Sequence, residues 1–404
     1  MILKDKKILL LVSGSIAIYK SLELIRLFVK AGANVKVVMS EGAKRFITPL
    51  SFEAISQNKV LDENSETWDK NEVYNHIDIS KWADILLIAP ASANTINSIA
   101  SGLANSLLLQ IVLASKKKII IAPAANTNMI ENPITKANIK KLKELNFEVL
   151  PTQTKELVCK DVGNGAMLEP LEIFHIVCRN LLKNSYWQNR NVVLSGGGTI
   201  EKIDDVRYIS NFSSGKMAYS LAKALYYLGA NVCLVTTKTF EDSLNGIDIV
   251  KVESSKDMLE ALNKNLAKKG EKKSYLFMVA AVSDYVVKNK SKGKLKKDSL
   301  GDAWSLELVK NIDILEAIDK KDIISIGFKA ELDKNEAKTN GLNMLEKKNL
   351  SAVCLNILED KNYFGSDFND IELLLKSKSL KFSGEKLKLS FDILKALEDE
   401  FKLD

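Results

Sequence analysis

The chain has 404 residues, with 58 Lys and Arg residues against 51 Asp and Glu residues, and 46% of its residues are hydrophobic. At roughly 150 residues per domain this length predicts two or three domains, and the composition excludes disordered and fibrous proteins. No apolar run reaches the roughly 18 residues that a membrane helix needs. The first residues indicate a buried strand rather than a signal peptide, so we expect a cytoplasmic protein.

Charge and metal-ligating residues narrow the possible partners. A net charge of +7 with 7% aromatic residues does not suit a nucleic-acid binder and fits phosphorylated small molecules better. The sequence holds 2 histidines and 4 scattered cysteines, which are Cys159, Cys178, Cys233 and Cys354. Without a C-x-x-C pair or a histidine cluster, neither a zinc site nor a disulfide framework is indicated.

Buried strands alternate with amphipathic helices along the first half of the chain. Continuous apolar runs predict strands at residues 7–12, 34–39, 84–89 and 118–122, and apolar residues at helical spacing predict a helix at 16–30. This alternation predicts a parallel sheet with helices on both faces.

The pattern restarts after KNSYWQNRN, a polar and aromatic stretch at residues 183–191. Strands are expected at 192–195, 275–279, 323–327 and 352–355, helices at 214–228 and 336–348, and a hairpin at 371–376 and 379–382 before a terminal helix. The strings AGANVKVV at 31–38 and LGANVCLV at 228–235 occupy similar places, as an internal repeat or as convergent helix-to-strand joints. Either alternative supports two doubly wound α/β domains, 1–190 and 191–404.

Small polar clusters follow the predicted strands of the first half. In open α/β sheets ligands bind at this edge, and helix-start N–H groups bind anions. The dinucleotide fingerprint G-x-G-x-x-G is absent after Gly14, which favours a mononucleotide such as FMN over NAD. The alternative is a set of ordinary strand-to-helix turns. The clusters are Ser13-Gly14-Ser15, Ser40, PASANT at 90–95 and APAAN at 122–126.

The second half has two candidate anion sites. GGGT at 196–199 follows a strand, and SSGK at 213–216 opens a helix without being a P-loop, because Ser210 and Met217 stand at two of its fixed positions. Lysines at 288, 290, 292, 294, 296 and 297 form a loop or lid. In an extended loop the alternating lysines would share one side and suit a triphosphate; the alternative is a solvated loop.

Two single residues are candidates for chemistry. Cys159 lies in a polar, glycine-containing loop beside Lys160, which favours a thiolate, whereas the other cysteines and His175 lie in predicted helices or strands. His76 lies in a polar stretch, where a lone histidine is more often a surface or capping residue.

These motifs, in their order, resemble one family. PASANT, PAANTNM at 123–129, the Cys159 loop, GGGTIEKIDDVRYISNFSSGKM at 196–217, AAVSDY at 280–285 and KLKK at 294–297 are similar to the bifunctional coenzyme A biosynthesis flavoproteins. In that family phosphopantothenoylcysteine decarboxylase is fused to phosphopantothenate–cysteine ligase. The resemblance spans the chain and implies an N-terminal flavodoxin-like domain of the HFCD flavoprotein type and a C-terminal Rossmann-like ligase domain.

The resemblance also implies roles for individual residues. His76 matches the active-site histidine, Asn126 the residue that binds the substrate carboxylate, and Cys159 the proton donor of a substrate-clamping loop. Asn211 matches the residue needed to use the acyl-nucleotide, and Lys294 a nucleotide-phosphate contact. The FMN positions are Gly14, Ser15, Ser40, Ser92 and Asn94. The CTP positions are Ala280, Asp284, Lys294, Ile312, Asp313, Ile314, Leu315, Phe328 and Lys348. The sequence departs from the family's usual Met, Arg, Gly and Lys at Ala125, Ala166, Ala218 and Met344.

The implied chemistry explains these residue types. Oxidation of the cysteine thiol to a thioaldehyde on FMN supplies an electron sink for loss of CO₂, and reduction by the same flavin with a proton from Cys159 leaves no net redox change. The ligase half activates 4'-phosphopantothenate as an acyl-cytidylate from CTP, and cysteine then displaces CMP. Mg²⁺ is expected mainly through the nucleotide phosphates, with its protein ligands unknown.

The assembly and two further function classes complete the expectations. The resemblance implies a homo-oligomer, a dodecamer through the flavin domain with dimerised ligase domains. One alternative function is a flavin oxidoreductase with net redox turnover, which would need a second electron donor. The other is a non-catalytic regulatory homologue, which the intact set of His76, Asn126, Cys159, Asn211 and Lys294 argues against.

Overall fold

Two compact units, Met1–Leu181 and Leu182–Asp404, make up the chain. The structure is a computed structural model that describes residues 1–66, 75–156, 162–268, 270–296, 303–358, 363 and 365–402. Each unit is built around one large sheet. No helix within the described ranges is both long and apolar enough to cross a membrane.

A five-stranded parallel sheet forms the centre of the first unit, in the order β2-β1-β3-β4-β5. Its central strands are buried on both faces, as their continuous apolar runs predict. The order is flavodoxin-like and confirms the predicted fold. The strands are β1 Lys7–Val12, β2 Asn34–Met39, β3 Ile85–Ala91, β4 Lys118–Pro123 and β5 Glu148–Val149.

Ser and Asn side chains cap many of the surrounding helices. Ser40, Asn75, Ser92, Ser106, Asn126 and Asn132 each accept a hydrogen bond from a backbone N–H of the turn that follows. The predicted helix at 16–30 opens with a 3-10 turn, Ile16–Ile18. The helices are α1 Tyr19–Lys30, α2 Glu41–Lys44, α3 Pro49–Ser56, α4 His76–Trp82, α5 Ala93–Ala100, α6 Leu107–Ala114, α7 Thr127–Glu131, α8 Pro133–Glu144 and α9 Pro170–Leu182, and the hairpin is β6 Gln153–Glu156 with β7 Val162–Ala166.

An eight-stranded sheet forms the second unit, in the order β12-β11-β8-β13-β16-β17-β18-β19. The first six of these strands are parallel, and their order in the chain is 3-2-1-4-5-6, which is the Rossmann order. β18 and β19 are the predicted antiparallel hairpin. The strands are β8 Asn191–Gly196, β11 Asn231–Thr236, β12 Ile247–Lys251, β13 Ser274–Met278, β16 Ile323–Glu331, β17 Ala352–Ile357, β18 Phe368–Leu374 and β19 Ser379–Glu385.

Helices and two short ribbons complete the second unit. The helix predicted from residue 214 begins at Lys216, because Gly215 caps it in the left-handed conformation with φ 73°. The helices are α10 Lys216–Tyr227, α11 Ser255–Leu266, α12 Ile314–Ala317, α13 Lys334–Lys347 and α14 Lys386–Phe401. The ribbons pair β9 Ile200–Lys202 with β10 Tyr208–Ser210, and β14 Tyr285–Val287 with β15 Leu308–Lys310.

The stretch at 183–191 belongs to the second unit, so the divide lies at Leu181/Leu182 rather than at the expected residue 190. The Trp187 side chain is 0% exposed and contacts the ring of Tyr275 on β13. Arg190 donates to the backbone oxygen of Lys273 over 2.9 Å. The stretch has no apolar periodicity, and for that reason the sequence pattern did not reveal its packing.

This packing predicts a difference between two fragments of the second unit. A fragment that begins at Leu182 should be more stable than one that begins at Asn191, because the shorter fragment lacks buried Trp187. Losing a buried Trp costs about 3–5 kcal/mol in comparable cores. Urea unfolding followed by circular dichroism measures the difference. First-unit fragments that end at 181 and at 190 are the controls and should unfold alike. Equal midpoints for the two second-unit fragments would contradict this packing.

Candidate functional site

A buried serine joins two strand ends where the strand order of the first unit reverses. Ser13 follows β1 and is 1% exposed. Its hydroxyl donates to the Pro90 oxygen and accepts from the Ser92 N–H, both over 2.8 Å. The loops after β1 and β3 are thereby held side by side at the carboxyl edge of the sheet, where such folds bind ligands. The sequence pattern included Ser13 in a cluster but did not predict this bond.

A cavity of about 930 Å³ opens beside these loops. It brings together five of the residues implied by the family resemblance, which are Gly14, Ser15, Ser92, Asn94 and Asn126. The departures Ala125 and Ala166 also line it. Ser40 and His76 lie outside the lining, and Cys159 lies outside the residues that the structure describes.

Glycines let the backbone segments around this cavity approach closely. A Cβ atom at Gly14 would lie 2.9 Å from the backbone of Gly42 in α2. A Cβ atom at Gly165 on β7 would lie 2.0 Å from the Ala125 oxygen, and the Gly165 oxygen accepts from the Ala125 N–H over 3.1 Å. The contact with Gly165 was not predicted, because nothing in the sequence pairs β7 with the loop after β4.

The polar side chains of the cavity also cap its helices. Ser92 accepts from the Thr95 N–H over 3.2 Å, and Ser15 caps the 3-10 turn. Asn126 accepts through Oδ1 from the Asn128 N–H over 2.9 Å, and no described residue accepts from its NH₂ group. Asn126 is exposed, so this NH₂ group can donate to a bound carboxylate.

A charged group at the edge of the cavity was missed by the sequence analysis. Lys20 is 8% exposed, and it donates to the Met167 oxygen and to Glu169 Oε1 over 3.0 and 2.9 Å. Lys155 pairs with the same carboxylate. Burial would raise the pKa of Glu169, but its bonds to Lys155 and Lys20 hold that pKa below its usual range. Lysines in helices and strands are common, so spacing alone did not single these out.

His76 begins α4 and has an acidic neighbour. Its Nδ1 lies 2.6 Å from Glu66 Oε1. A carboxylate at Nδ1 fixes the ring orientation and favours the tautomer that carries its proton on Nδ1, which leaves Nε2 as an acceptor. Glu66 lies ten residues away in the sequence, and no motif indicated this pair.

The second unit has an equivalent crevice between β8 and β13. Ser195 at the end of β8 is 0% exposed and accepts from the N–H groups of Val279 and Ala280, both over 3.1 Å. Asn211 donates to the Val282 oxygen over 3.1 Å, so GGGT, Asn211 and AAVSDY form one cluster.

A cavity of about 170 Å³ lies in the second unit. Ala280, Phe328, Ala218 and residues 212–217 at the start of α10 are among its lining. The other residues implied for CTP lie outside this lining, and Ile314 and Leu315 are buried in the core. Lys348 and Asp313 form an ion pair over 2.5 Å. Burial would raise the pKa of Asp313, but Lys348 holds it below its usual range.

The remaining departure from the family pattern is a core residue. Met344 is partly buried against the core of the second unit, and its Cε lies 2.9 Å from where a Cβ on Gly327 would be. Within the described ranges no three His, Cys, Asp or Glu side chains cluster closely enough to hold a metal ion.

Two family models match the chain. A flavoprotein model matches residues 2–182, and a model of the DNA/pantothenate metabolism flavoprotein C-terminal domain matches residues 187–400. The coenzyme A biosynthesis bifunctional protein CoaBC of Vibrio parahaemolyticus is 37% identical over 402 residues, which covers 98% of this chain and 99% of that protein. CoaBC of Borreliella burgdorferi is 37% identical over 398 residues, with the same coverage. CoaBC of Bacillus subtilis is 34% identical and covers 98% of this chain and 97% of its own.

Solved structures match each half separately. A mutant PPC decarboxylase complexed with pantothenoylaminoethenethiol is 36% identical, covers 43% of this chain and 97% of its own, and has a TM-score of 0.39. The C-terminal domain of a CoaBC protein is 28% identical, covers 55% of this chain and 100% of its own, and has a TM-score of 0.45.

The close approach of Gly14 and Gly42 gives a matched pair of variants. Gly14→Ala should retain less FMN than the unaltered protein, because the added Cβ would lie 2.9 Å from the backbone of Gly42 and force the loop and α2 apart. Overpacking of this kind costs about 1–3 kcal/mol. Gly42→Ala should retain FMN normally, because its Cβ would meet Gly14 Cα at an ordinary 3.5 Å. Flavin absorbance per chain after gel filtration measures both, and equal flavin content would contradict the assignment.

Proposed function

The chain belongs to the family of bifunctional coenzyme A biosynthesis proteins, and we propose from this membership how its two units divide the work. The protein is an enzyme with decarboxylase and ligase activities that carries out two steps of coenzyme A biosynthesis. The second unit ligates 4'-phosphopantothenate with cysteine at the expense of CTP. The first unit then decarboxylates the resulting 4'-phosphopantothenoylcysteine to 4'-phosphopantetheine with FMN.

The length of the match carries this proposal. A protein named as bifunctional in coenzyme A biosynthesis is 37% identical over 98% of this chain. The two family models fall on the two units, 2–182 and 187–400, so neither half is missing. A flavin oxidoreductase would have no use for the second unit, and a non-catalytic homologue would have no reason to keep His76, Asn126 and Asn211.

The cavity of the first unit fits FMN. Small residues line it, its loops bring helix-start N–H groups to one side, and about 930 Å³ accommodates a flavin with its substrate. Bound FMN would supply reversible two-electron chemistry, accepting two electrons from the substrate thiol and returning them after CO₂ is lost, so that the turnover has no net redox change.

The chain's own residues would bind the substrate and move protons. The NH₂ group of Asn126, from which no described residue accepts a hydrogen bond, would bind the substrate carboxylate. His76, oriented by Glu66, would accept a proton through Nε2. Cys159 would donate the proton that completes the product; its position lies outside the described residues.

The second unit would stabilise the reaction with positive charge and would form no covalent bond between the protein and its substrates. The carboxylate of 4'-phosphopantothenate would displace pyrophosphate from CTP, and the cysteine amine would then displace CMP from the acyl-cytidylate. Lys294 would neutralise charge that develops on the leaving pyrophosphate. Asn211, bonded to the Val282 oxygen, lies where it could support the second displacement.

The remaining partners belong to the same proposal. Mg²⁺ would bind mainly through the nucleotide phosphates, as it does in many nucleotide-dependent sites. Lys348 and residues 312–315 would bind other parts of the CTP molecule. The working form would be a cytoplasmic homo-oligomer, with the flavin units forming a dodecamer and the ligase units forming dimers.

A stepwise assay tests the proposal on the full chain. With FMN and Mg²⁺, 4'-phosphopantothenate and CTP should release pyrophosphate without cysteine, and adding cysteine should yield 4'-phosphopantetheine and CO₂ by mass spectrometry. Supplied 4'-phosphopantothenoylcysteine should be decarboxylated without CTP. Turnover that leaves a net redox change and needs a second electron donor would favour the oxidoreductase instead.

The lysine loop gives a sharper prediction for the ligase unit. Lys294→Gln should lower pyrophosphate release about tenfold or more, because a charge-assisted phosphate contact contributes about 1.5–3 kcal/mol. Lys290→Gln should change it less than about twofold, as expected for an exposed lysine. Pyrophosphate release without cysteine is the measurement. Equal, small losses in the two variants would mean that the loop is only solvated.

A further inference from the structure

The segment that carries Lys294 has neither helix nor strand between residues 288 and 296. It is held instead by the turn that joins β9 to β10. The Gly293 N–H donates to Asp205 Oδ2 over 2.7 Å, and the Leu295 N–H donates to Asp204 Oδ2 over 3.2 Å. Two neighbouring carboxylates therefore fix the backbone on either side of Lys294.

Asp204 stabilises the β9–β10 turn itself as well as the backbone beside Lys294. Its side chain is 0% exposed. Its Oδ1 accepts from the N–H groups of Val206 and Arg207 over 2.8 and 2.7 Å. The remaining oxygen accepts from Leu295, so the same carboxylate shapes the turn and holds the loop.

Two further contacts tie the loop to this turn. Arg207 donates to the Leu295 oxygen over 2.5 Å, and its Nε lies 3.2 Å from Asp204 Oδ2. The Ser291 N–H donates to the Ile203 oxygen over 3.0 Å. Gly293 adopts a left-handed φ of 73°, which lets the chain bend between these bonds.

The Lys294 side chain, unlike its backbone, is not held by these contacts. It is exposed, and no described residue pairs with its ammonium group. Lys288, by contrast, pairs with Glu307 over 2.5 Å. The anchoring thus fixes the backbone of Lys294 and leaves its charge for a ligand.

We propose that Asp204 and Asp205 are positioning residues for Lys294 and fix the site of its ammonium group for the nucleotide phosphates. This inference rests on the proposed ligase function. The two carboxylates would act as acceptors of backbone N–H groups and would not touch the nucleotide, since carboxylates facing a triphosphate would repel it. A carboxylate suits this role because charge-assisted hydrogen bonds are the stronger ones.

Asp205 is the better probe, because it is exposed and its loss leaves the turn's own bonds to Asp204 in place. In the full-length protein, Asp205→Ala should weaken CTP binding about tenfold in titration calorimetry. Asp205→Asn keeps an acceptor oxygen and should stay within about threefold of the unaltered protein. Asp248→Ala removes an exposed aspartate of β12 as a matched control and should bind CTP normally.

A double variant separates positioning from general stability. If Asp205 acts through Lys294, then Asp205→Ala should change CTP binding by less than about twofold in a Lys294→Gln background. The same loss in both backgrounds, or equal losses for Asp205→Ala and Asp205→Asn, would overturn the proposal. Thermal unfolding and decarboxylation of supplied 4'-phosphopantothenoylcysteine should be unchanged in all Asp205 variants.

Pyrophosphate release by the unaltered protein distinguishes the two possible failures. Absence of that release would contradict the ligase function itself. Normal release together with unweakened CTP binding by Asp205→Ala would overturn only the positioning role.

Discussion

A buried serine at the end of the first strand organises each unit. Ser13 bonds across to the loop after β3, and Ser195 bonds across to the loop after β13. In both units these strands are neighbours at the point where the strand order reverses, so their helices leave on opposite faces and a crevice opens. Unpaired backbone groups at such a crevice are costly unless a side chain bonds to them. A hydroxyl is small enough to do this inside the sheet.

The shared serine favours an internal repeat over convergence as the explanation for the similar halves. Ser-Gly directly follows β1 and ends β8, and both serines are at most 1% exposed. Convergence on helix-to-strand joints accounts for AGANVKVV and LGANVCLV, but it does not require the same hydroxyl bridge at the other end of the unit. The two strand orders differ, as do the chemistries assigned to the units, so the common feature is the crevice and not the ligand.

The sequence predicted most of the sheet, because buried parallel strands are continuous apolar runs. β1 and β2 have the expected bounds, and the hairpin of β18 and β19 overlaps the expected one, with β18 beginning three residues earlier and β19 ending three residues later. Bonds between distant segments could not be predicted in this way. The pair of His76 with Glu66 and the contact of Gly165 with Ala125 depend on how loops meet in three dimensions. The burial of Trp187 could not be predicted either, because a few aromatic residues in a polar stretch show no apolar periodicity.

Met344 stands where the family resemblance implies a basic residue, and its lack of charge bears on what the other charges of the proposed nucleotide site would do. Met344 packs against the core near Gly327, which precedes the cavity residue Phe328, and it would bring no charge to the proposed nucleotide. Lys348 is already paired with Asp313, so part of its field is cancelled locally. Under the proposed ligase function, Lys294, whose ammonium group no described residue pairs with, would then be a charge that can contribute to binding a triphosphate. Fixing a lysine side chain on a ligand costs about 2 kcal/mol of rotamer entropy. If the loop that carries it is also disordered, ordering the backbone adds a further cost, so an ammonium group helps most on a loop that is already held. In the proposed positioning role, the carboxylates of the β9–β10 turn would reduce the further cost of ordering the backbone, so two acidic residues would favour the binding of an anion.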